Sequence, residues 1–253
     1  MARRPKQTDI TPPIFNPLSY RSLGAATAEA LIERDIVPMA ELPSFKGEGI
    51  YAIYYKGDYE PYSIISEAND HEQWQMPIYV GKADPSGGRH GLREDDDADT
   101  ENQASAGVSN GYPLRKRLWE HIASINAAEN LDINHFWCRF MLVNQVWVGL
   151  GEAMMISRYT PIWNAPINGF GNHNPGSGRP GKEGKKTGRS RWDTLHPGRT
   201  WAEPLAARGE TAEMIANEAR QILATKRGAA EPELFREIAD EIGQAIADQQ
   251  KVP

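Results

Sequence analysis

The sequence predicts an α+β fold, in which short strands and amphipathic helices form layers around one core. Three short runs are rich in the β-branched and aromatic residues that strands favour: GIYAIYY at 49–55, IYVGKA at 78–83 and INHFWCRFMLV at 133–143. Two longer stretches, 112–130 and 145–159, repeat apolar residues at helical spacing. With 253 residues, 40% of them hydrophobic, the chain is long enough for one large domain with extensions.

The composition limits the class of protein. No apolar run approaches the roughly 20 residues that a membrane-spanning helix needs, and the basic start MARRPKQTDITPP lacks the apolar centre of a secretory signal. We therefore expect a cytoplasmic protein that does not associate with a membrane. The single cysteine, Cys138, excludes an internal disulfide and a cysteine-rich zinc site. Its apolar neighbours predict a buried, inert thiol.

Charge is segregated along the chain, although the formal net charge is only −6. Residues 84–111 hold seven acids and two bases, a balance of −5, whereas residues 165–201 hold seven bases and two acids, a balance of +5. The basic segment is where a polyanion would bind. The alternative is that this segment is a solvated basic linker.

The flanking segments are assigned from their composition. The proline-rich residues up to Pro17 are expected to form an arm, and the alanine-rich residues 18–37 an amphipathic helix that ends at Pro38. The connection 56–75 is longer than a minimal hairpin loop, so we expect additional structure there. Residues 84–111 are rich in Gly, Asp, Ser and Asn, which predicts a long loop that is either functional or disordered.

The two predicted helices carry polar side chains at informative positions. Arg117 and His121 lie four residues apart beside the apolar stripe of the first helix, so both side chains point toward the same place. Glu152 is the one acid in the second helix, and its burial would require a cation or a metal ion as partner. Surface solvation is the alternative explanation for all three residues.

Two tyrosines lie in the first two strands, within the tripeptides GIY at 49–51 and YVG at 79–81. If the strands are adjacent, Tyr51 and Tyr79 could line one small polar site. The alternative is ordinary cross-strand packing of aromatic rings.

Together these motifs resemble the GIY-YIG nuclease superfamily over roughly residues 49–164. The two tripeptides stand in the family's order, the second as YVG. The family's helix motif of leucine, arginine and histidine is matched by LRKRLWEH, and its later glutamate, apolar pair and proline-to-asparagine turn by EAMMISRYTPIWN, which ends at Asn164. Two departures are the long connection between the tripeptides and the insertion at 84–111, and both could alter substrate choice while leaving the chemistry intact.

The resemblance implies a small three-stranded antiparallel sheet flanked by helices, and metal-assisted hydrolysis of DNA phosphodiesters. It implies Mg²⁺ as the cofactor, with Mn²⁺ as a substitute, held by Glu152. Arg117 would clamp the scissile phosphate through its planar fork. Tyr79 would hold the water or the phosphate by a hydrogen bond, and Asn164 would orient another group in the site.

The general base is left open between two residues. A free phenol with a pKa near 10 is a weak base at pH 7, so Tyr51 would act only if nearby cations depress its pKa. Lys82 and His121 are the available cations. The division of labour between Tyr51 and His121 is not settled by the sequence.

The tail SRWDTLHPGRTWA, the insertion and the chain length resemble the type II restriction endonucleases of the superfamily, which extends the resemblance to about residue 201. Members of this branch cut short GC-rich palindromes in bacterial cytoplasm, and CCGCGG is the candidate target. The long loops and the basic tail would contact double-stranded DNA. The candidate contacts are Arg89, Arg115, Arg179, Lys182, Lys185, Lys186, Arg189, Arg191, His196 and Arg199.

These assignments divide the chain into four parts: an N-terminal arm and helix (1–48), the nuclease core with its insertion (49–164), a Gly-rich basic DNA-binding segment (165–201) and a C-terminal part (202–253). The C-terminal part is predicted to form two helices, at about 210–226 and 231–249. The motifs occur once, so a palindromic target would require a homodimer. The added helices would form the dimer interface or cover the sheet. The alternative functions are a structure-selective or repair nuclease and a non-catalytic DNA-binding protein.

Overall fold

A four-stranded antiparallel sheet organises the fold, in a computed structural model that describes residues 18–70, 74–83, 111–172 and 188–228. The predicted α+β class is therefore confirmed, and three strands match the three predicted runs. The strands, in chain order, are β1 (Val37–Pro38), β2 (Gly49–Tyr55), β3 (Pro77–Ala83) and β4 (Phe136–Leu142). Their order across the sheet is β1, β4, β2, β3.

The short strand β1 corrects two predictions, the three-stranded sheet and the helix at 18–37. Helix α1 spans only Tyr20–Ile32, and the chain then returns to the sheet, where Val37 lies opposite Cys138 in β4. A proline lacks a backbone N–H and is tolerated in a strand at the edge of a sheet. Pro38 therefore ends a short edge strand and not a helix.

Two hydrophobic clusters cover the two faces of the sheet. Successive residues of a strand point to opposite faces, and all seven residues of β2 are buried because both faces are covered. This is why β2 reads as a continuous apolar and aromatic run. The residues of β2 in the first cluster are Tyr51, Ile53 and Tyr55, and those in the second are Ile50, Ala52 and Tyr54.

Helices supply the other half of each cluster. On the Ile50 face, α1 packs together with α4 (Gln145–Tyr159). The Tyr51 face is covered by α3 (Pro113–Ala127), α5 (Arg191–Leu195) and α6 (Ala212–Gly228). The long connection between β2 and β3 contains α2 (Ser63–Ala68), in agreement with the predicted additional structure. Residues 188–201, predicted to belong to a separate DNA-binding segment, thus contribute to the same core as α3.

Four predicted features lie outside the described residues: the arm up to Pro17, the insertion at 84–110, the basic stretch at 173–187 and the second C-terminal helix at 231–249. Within the described ranges, no helix is both long and apolar enough to cross a bilayer. Cys138 is free and buried, and burial raises the pKa of its thiol to about 12, as expected for an inert thiol.

Candidate active site

Tyr51 and Tyr79 lie on the same face of the sheet, on neighbouring strands. In the register of β2 and β3, Tyr51 is opposite Gly81 and Ile53 is opposite Tyr79, so the two tyrosines stand diagonally to each other with ring centroids 6.2 Å apart. A Cβ atom on Gly81 would lie 2.4 Å from the Tyr51 hydroxyl oxygen. The glycine of the second tripeptide therefore opens the space that the Tyr51 side chain occupies.

Helix α3 brings a histidine to this tyrosine. The hydroxyl oxygen of Tyr51 lies 2.6 Å from Nε2 of His121, within hydrogen-bond distance. Both side chains are buried, and His121 lies beside the apolar residues Leu118 and Ile122 of the same helix. Surface solvation is therefore excluded for His121, and cross-strand packing is not the whole role of Tyr51.

Arg117 lies one turn before His121 and is held from two sides. Its Nη2 donates to the carbonyl oxygen of Gly171 at 2.9 Å, and its Nη1 pairs with Oε2 of Glu120 at 3.2 Å. The guanidinium acts electrostatically on both Tyr51 and Tyr79, and its side chain is 20% exposed. An anion entering the site can therefore reach a guanidinium whose orientation is already fixed.

The pKa of Tyr51 runs against the expectation from the sequence. Burial raises the pKa of Tyr51 well above its ordinary value, and the Tyr79 hydroxyl raises it further. Arg117, and not Lys82 or His121, is the main cation that lowers this pKa, and burial outweighs it. Tyr51 is thus a neutral phenol whose proton needs an acceptor, and Nε2 of His121 is within reach.

Glu152 meets Lys82 at the edge of the sheet. Lys82 is opposite Ile50 in the register, so its side chain leaves β3 on the face opposite to that of Tyr79. This geometry explains why Lys82 is not the cation beside Tyr51. Its Nζ lies 3.7 Å from Oε2 of Glu152 on α4. The Glu152 carboxylate also raises the pKa values of Tyr51 and Tyr79, so its charge acts on the tyrosine site.

A single carboxylate fits the usual way in which Mg²⁺ is bound. In the part of the chain that the structure describes, no group of three His, Cys, Asp or Glu side chains could hold a metal ion. Mg²⁺ commonly binds one or two carboxylates and completes its octahedral shell with waters and substrate phosphates. Glu152, whose side chain is 24% exposed, can supply that carboxylate. The residues present therefore fit a metal ion that is held largely by the substrate.

Asn164 binds the edge strand β3 through both atoms of its amide. Its Oδ1 accepts from the Val80 N–H at 2.9 Å, and its Nδ2 donates to the Val80 carbonyl oxygen at 2.8 Å. The peptide groups of Val80 point away from β2 and would otherwise be unpaired at the sheet edge. Asn164 therefore holds the backbone between Tyr79 and Gly81 in place.

Comparison with known families agrees with this geometry. Residues 43–223, more than half of the chain, match the family described as the Eco29kI GIY-YIG domain. The chain belongs to this family. The Eco29kI GIY-YIG domain is a type II restriction endonuclease family, so the resemblance seen in the tripeptides and helices is confirmed. No match was found among curated proteins. Membership indicates a nuclease of the restriction type, with DNA as the substrate, and GIY-YIG nucleases generally depend on a divalent metal ion.

Two residues that were predicted to contact DNA, His196 and Arg199, are buried and take part in the core. Nε2 of His196 lies 2.7 Å from the Tyr62 hydroxyl and Nδ1 lies 2.8 Å from Oδ1 of Asn130, and burial lowers the pKa of His196 to about 3. Nε of Arg199 donates to Oδ1 of Asp193 at 2.6 Å. The predictions for His196 and Arg199 are wrong because aromatic neighbours bury a segment whose basic, Gly-rich sequence looks solvated.

The other described candidates lie nearer the surface. Arg191 is paired with Glu210 and Glu218, so its charge is compensated within the fold. A side chain that contacts DNA would instead present its charge to the phosphates. Arg189 donates to the backbone carbonyl oxygen of Glu203 at 2.6 Å. Arg115 lies beside two exposed rings, that of Trp119 in α3 and that of Tyr112, the residue before α3. The remaining candidates, Arg89, Arg179, Lys182, Lys185 and Lys186, lie outside the described residues.

One wall of the site was missed by sequence reasoning, the loop at 169–172. The Phe170 ring stacks on the imidazole of His121, with centroids 4.5 Å apart and 17° between the planes. A Cβ atom on Gly171 would lie 2.7 Å from the Tyr79 hydroxyl oxygen, so only glycine lets the loop approach this closely. The signal that could have indicated this wall is the sequence NGFGN at 168–172. It places two glycines around one aromatic residue shortly after the Asn164 turn.

Proposed function

We propose that the protein is a type II restriction endonuclease that hydrolyses one phosphodiester bond in each strand of duplex DNA at a short GC-rich palindrome, with CCGCGG as the candidate target. The observation that carries the proposal is the buried hydrogen bond between Tyr51 and His121 beside the Arg117 guanidinium. A proton acceptor for the attacking water and a fixed positive charge at the phosphate both accelerate phosphodiester hydrolysis. As a restriction enzyme it would act in the bacterial cytoplasm.

Tyr51 and His121 act as one proton relay in this proposal. Because burial raises the pKa of Tyr51, the phenol alone is a poor base at neutral pH. As the attacking water gives a proton to the Tyr51 oxygen, the hydroxyl proton of Tyr51 moves to Nε2 of His121, 2.6 Å away. The stacked ring of Phe170 keeps the imidazole in the orientation that this transfer needs.

Arg117 binds the scissile phosphate. Its guanidinium stays charged at every relevant pH and pairs with two phosphate oxygens in a planar arrangement. The Gly171 carbonyl and the Glu120 carboxylate hold it in place before substrate arrives. Fixed charge of this kind stabilises the extra negative charge of the transition state without reorganisation.

Glu152 holds the metal ion in this proposal, with Mg²⁺ as the cofactor and Mn²⁺ as a substitute. When bound, the metal ion neutralises charge on the phosphate and on the departing 3′ oxygen. Lys82, 3.7 Å from the Glu152 carboxylate, keeps that side chain at the edge of β3. Tyr79 hydrogen-bonds to the water or the phosphate, and Asn164 fixes the strand that carries Tyr79.

A homodimer completes the proposal because one subunit carries one set of these residues. A palindrome presents two equivalent scissile phosphates related by a two-fold axis, which a symmetric dimer matches. The basic residues outside the described ranges, together with Arg115 and Arg189, are the candidates for binding DNA.

Digestion of plasmid DNA with the purified protein and Mg²⁺ tests the proposed function. We expect discrete fragments whose sequenced ends share one palindromic site, and no cleavage by the Tyr51→Phe variant. Cleavage that occurs only on branched or damaged DNA would identify a structure-selective nuclease and overturn the proposal. Specific binding without cleavage in any divalent metal ion would identify a DNA-binding protein.

A further inference from the structure

The loop at 169–172 contacts two of the proposed catalytic residues. Its Gly171 carbonyl accepts from Nη2 of Arg117 at 2.9 Å, and its Phe170 ring stacks on His121. The loop forms a turn outside the sheet and the helices. A displacement of about 1 Å here would misplace both the phosphate clamp and the proton acceptor, and misplacement of that size can lower a rate by about 100-fold.

One side chain binds three carbonyl oxygens of this loop. Nη2 of Arg199 donates to the Gly169 carbonyl at 2.9 Å, and its Nη1 donates to the carbonyls of Phe170 at 3.1 Å and Asn172 at 3.3 Å. These three residues surround Gly171, which holds Arg117. The arginine thus fixes the backbone on both sides of the peptide group that orients the phosphate clamp.

Arg199 is itself held rigidly. It is 4% exposed, its Nε donates to Asp193 at 2.6 Å, and its guanidinium lies 4.4 Å from the ring centroid of Trp192 and 4.7 Å from that of Trp201. Burying a guanidinium is costly unless its charge is paired and its donors are satisfied. A lysine has a single ammonium and cannot bind one carboxylate and three carbonyls in one plane.

We infer that Arg199 is a positioning residue for the catalytic site. It holds the 169–172 loop so that Gly171 orients Arg117 and Phe170 covers His121. The inference rests on the proposed nuclease function for its kinetic consequences. It assigns a catalytic contribution to the segment that follows the GIY-YIG motifs, through a residue that never touches the substrate.

The Arg199→Lys variant tests the inference, with Arg208→Lys as the matched control, because Arg208 is exposed and pairs with Glu210 on the surface. We expect Arg199→Lys to lower the single-turnover cleavage rate by roughly tenfold to 100-fold, while the Kd for the same DNA stays within about threefold. Arg208→Lys should match the wild type. An unchanged rate in Arg199→Lys, or a loss that appears entirely in Kd, overturns the inference.

A double-mutant cycle separates positioning from general damage to the core. Because the contact with Arg117 is already lost in an Arg117→Ala protein, Arg199→Lys should lower the rate of that protein by clearly less than it lowers the wild-type rate, and the part that remains acts through Phe170 and His121. Effects that multiply in full overturn the inference. If Arg199→Lys does not fold, Trp201→Leu removes one ring from the guanidinium without leaving Asp193 unpaired, and the same cycle is run with that variant.

A structural readout keeps the inference separate from the proposed function. The guanidinium N–H signal of Arg117, identified in NMR spectra by its loss in Arg117→Ala, should exchange slowly with solvent in the wild type and rapidly in Arg199→Lys. If the wild type cuts no DNA but this change is seen, the nuclease proposal fails and the positioning role stands. If exchange at Arg117 is unchanged, the positioning role fails whatever the protein does to DNA.

Discussion

The hydroxyl oxygen of Tyr51 and Nε2 of His121 lie 2.6 Å apart in a buried environment. The two residues come from different elements, the central strand β2 and helix α3, so the contact is made only by the folded chain. Because burial raises the pKa of Tyr51, the phenol alone is a poor base at neutral pH, whereas the pair provides a path for a proton.

Tyr51→Phe should lower the single-turnover cleavage rate by at least about 100-fold, because it removes the oxygen that receives the proton of water in the proposed mechanism. His121→Ala should lower the rate by a similar factor, and the double variant should be no slower than the worse single variant. Tyr54→Phe, on the opposite face of the same strand, is the control and should cut at the wild-type rate. A double variant whose loss is the product of the single losses would contradict the relay.

Glu152→Ala should abolish cleavage in Mg²⁺ and leave the Kd for cognate DNA within about tenfold, since the proposed role of the carboxylate is charge stabilisation and not recognition. Glu129→Gln, an exposed acid beyond the end of α3, is the control. Cleavage and Kd are measured in the same buffer. A Glu152→Ala protein that cuts near the wild-type rate would show that another group holds the metal ion.

Arg117→Ala should lower the cleavage rate by roughly 100-fold or more, as expected when a fixed charge at the transition state is removed. Single substitutions of Lys182, Lys185 or Lys186 should instead weaken DNA binding modestly and reduce the slope of log K against log salt by about one unit each. Rates and salt-dependent Kd values are measured for each variant. Equal losses of rate in both sets would argue against this division.

Mixing wild-type subunits with an excess of Glu152→Ala subunits should convert double-strand cuts into nicks. In a symmetric dimer each subunit cuts one strand, so a mixed dimer cuts only one. Nicked and linear plasmid are quantified on gels as the mixing ratio rises. A monomer that cuts the strands in sequence would lose rate in proportion and would accumulate no excess of nicked product.

His196 should make the protein sensitive to mild acid. Burial lowers the pKa of His196 to about 3, below the ordinary value of 6.5, so below pH 6.5 the unfolded chain binds a proton that the folded chain does not. Stability present at neutral pH is therefore lost as the pH falls from 6.5 towards 3, by about 2 kcal/mol at pH 5.

Urea unfolding between pH 5 and pH 7.5 measures this loss. His196→Gln should be less stable than the wild type at pH 7.5 and should show a shallower fall towards pH 5. His135→Gln, at a partly exposed histidine, should retain the slope of the wild type. Parallel curves for the wild type and His196→Gln would contradict this account.

The strands β2, β3 and β4 were predictable because each carries a run of β-branched and aromatic residues. That Tyr51, Tyr79 and His121 lie close together was predictable because the tripeptides and the arginine–histidine spacing are short, local patterns. The two residues of β1 are too few to show any periodicity, and their pairing depends on β4, which is distant in the sequence. A period of two or 3.6 residues cannot reveal such an element.

The misassigned basic residues have a different cause. Arg199 lies in a Gly- and Pro-rich, basic segment, a composition typical of solvated loops. What buries it is the carboxylate of Asp193 together with the rings of Trp192 and Trp201, which surround it only after folding. The tryptophans on either side of the HPGR turn were the available sign, because solvated linkers rarely contain them.

The turn that carries Asn164 also restricts how another copy of the chain could pair with the sheet. The backbone N–H of Trp163 donates to the Ile78 carbonyl oxygen at 3.0 Å, and the Asn164 side-chain amide binds the Val80 peptide groups on the outer side of β3. A free outer edge would be a template for another strand, in a continuous intermolecular sheet or in aggregates. Since β3 is already occupied at these positions, two copies of the chain cannot join their sheets there. Loss of the Asn164 amide would then threaten solubility as well as cleavage.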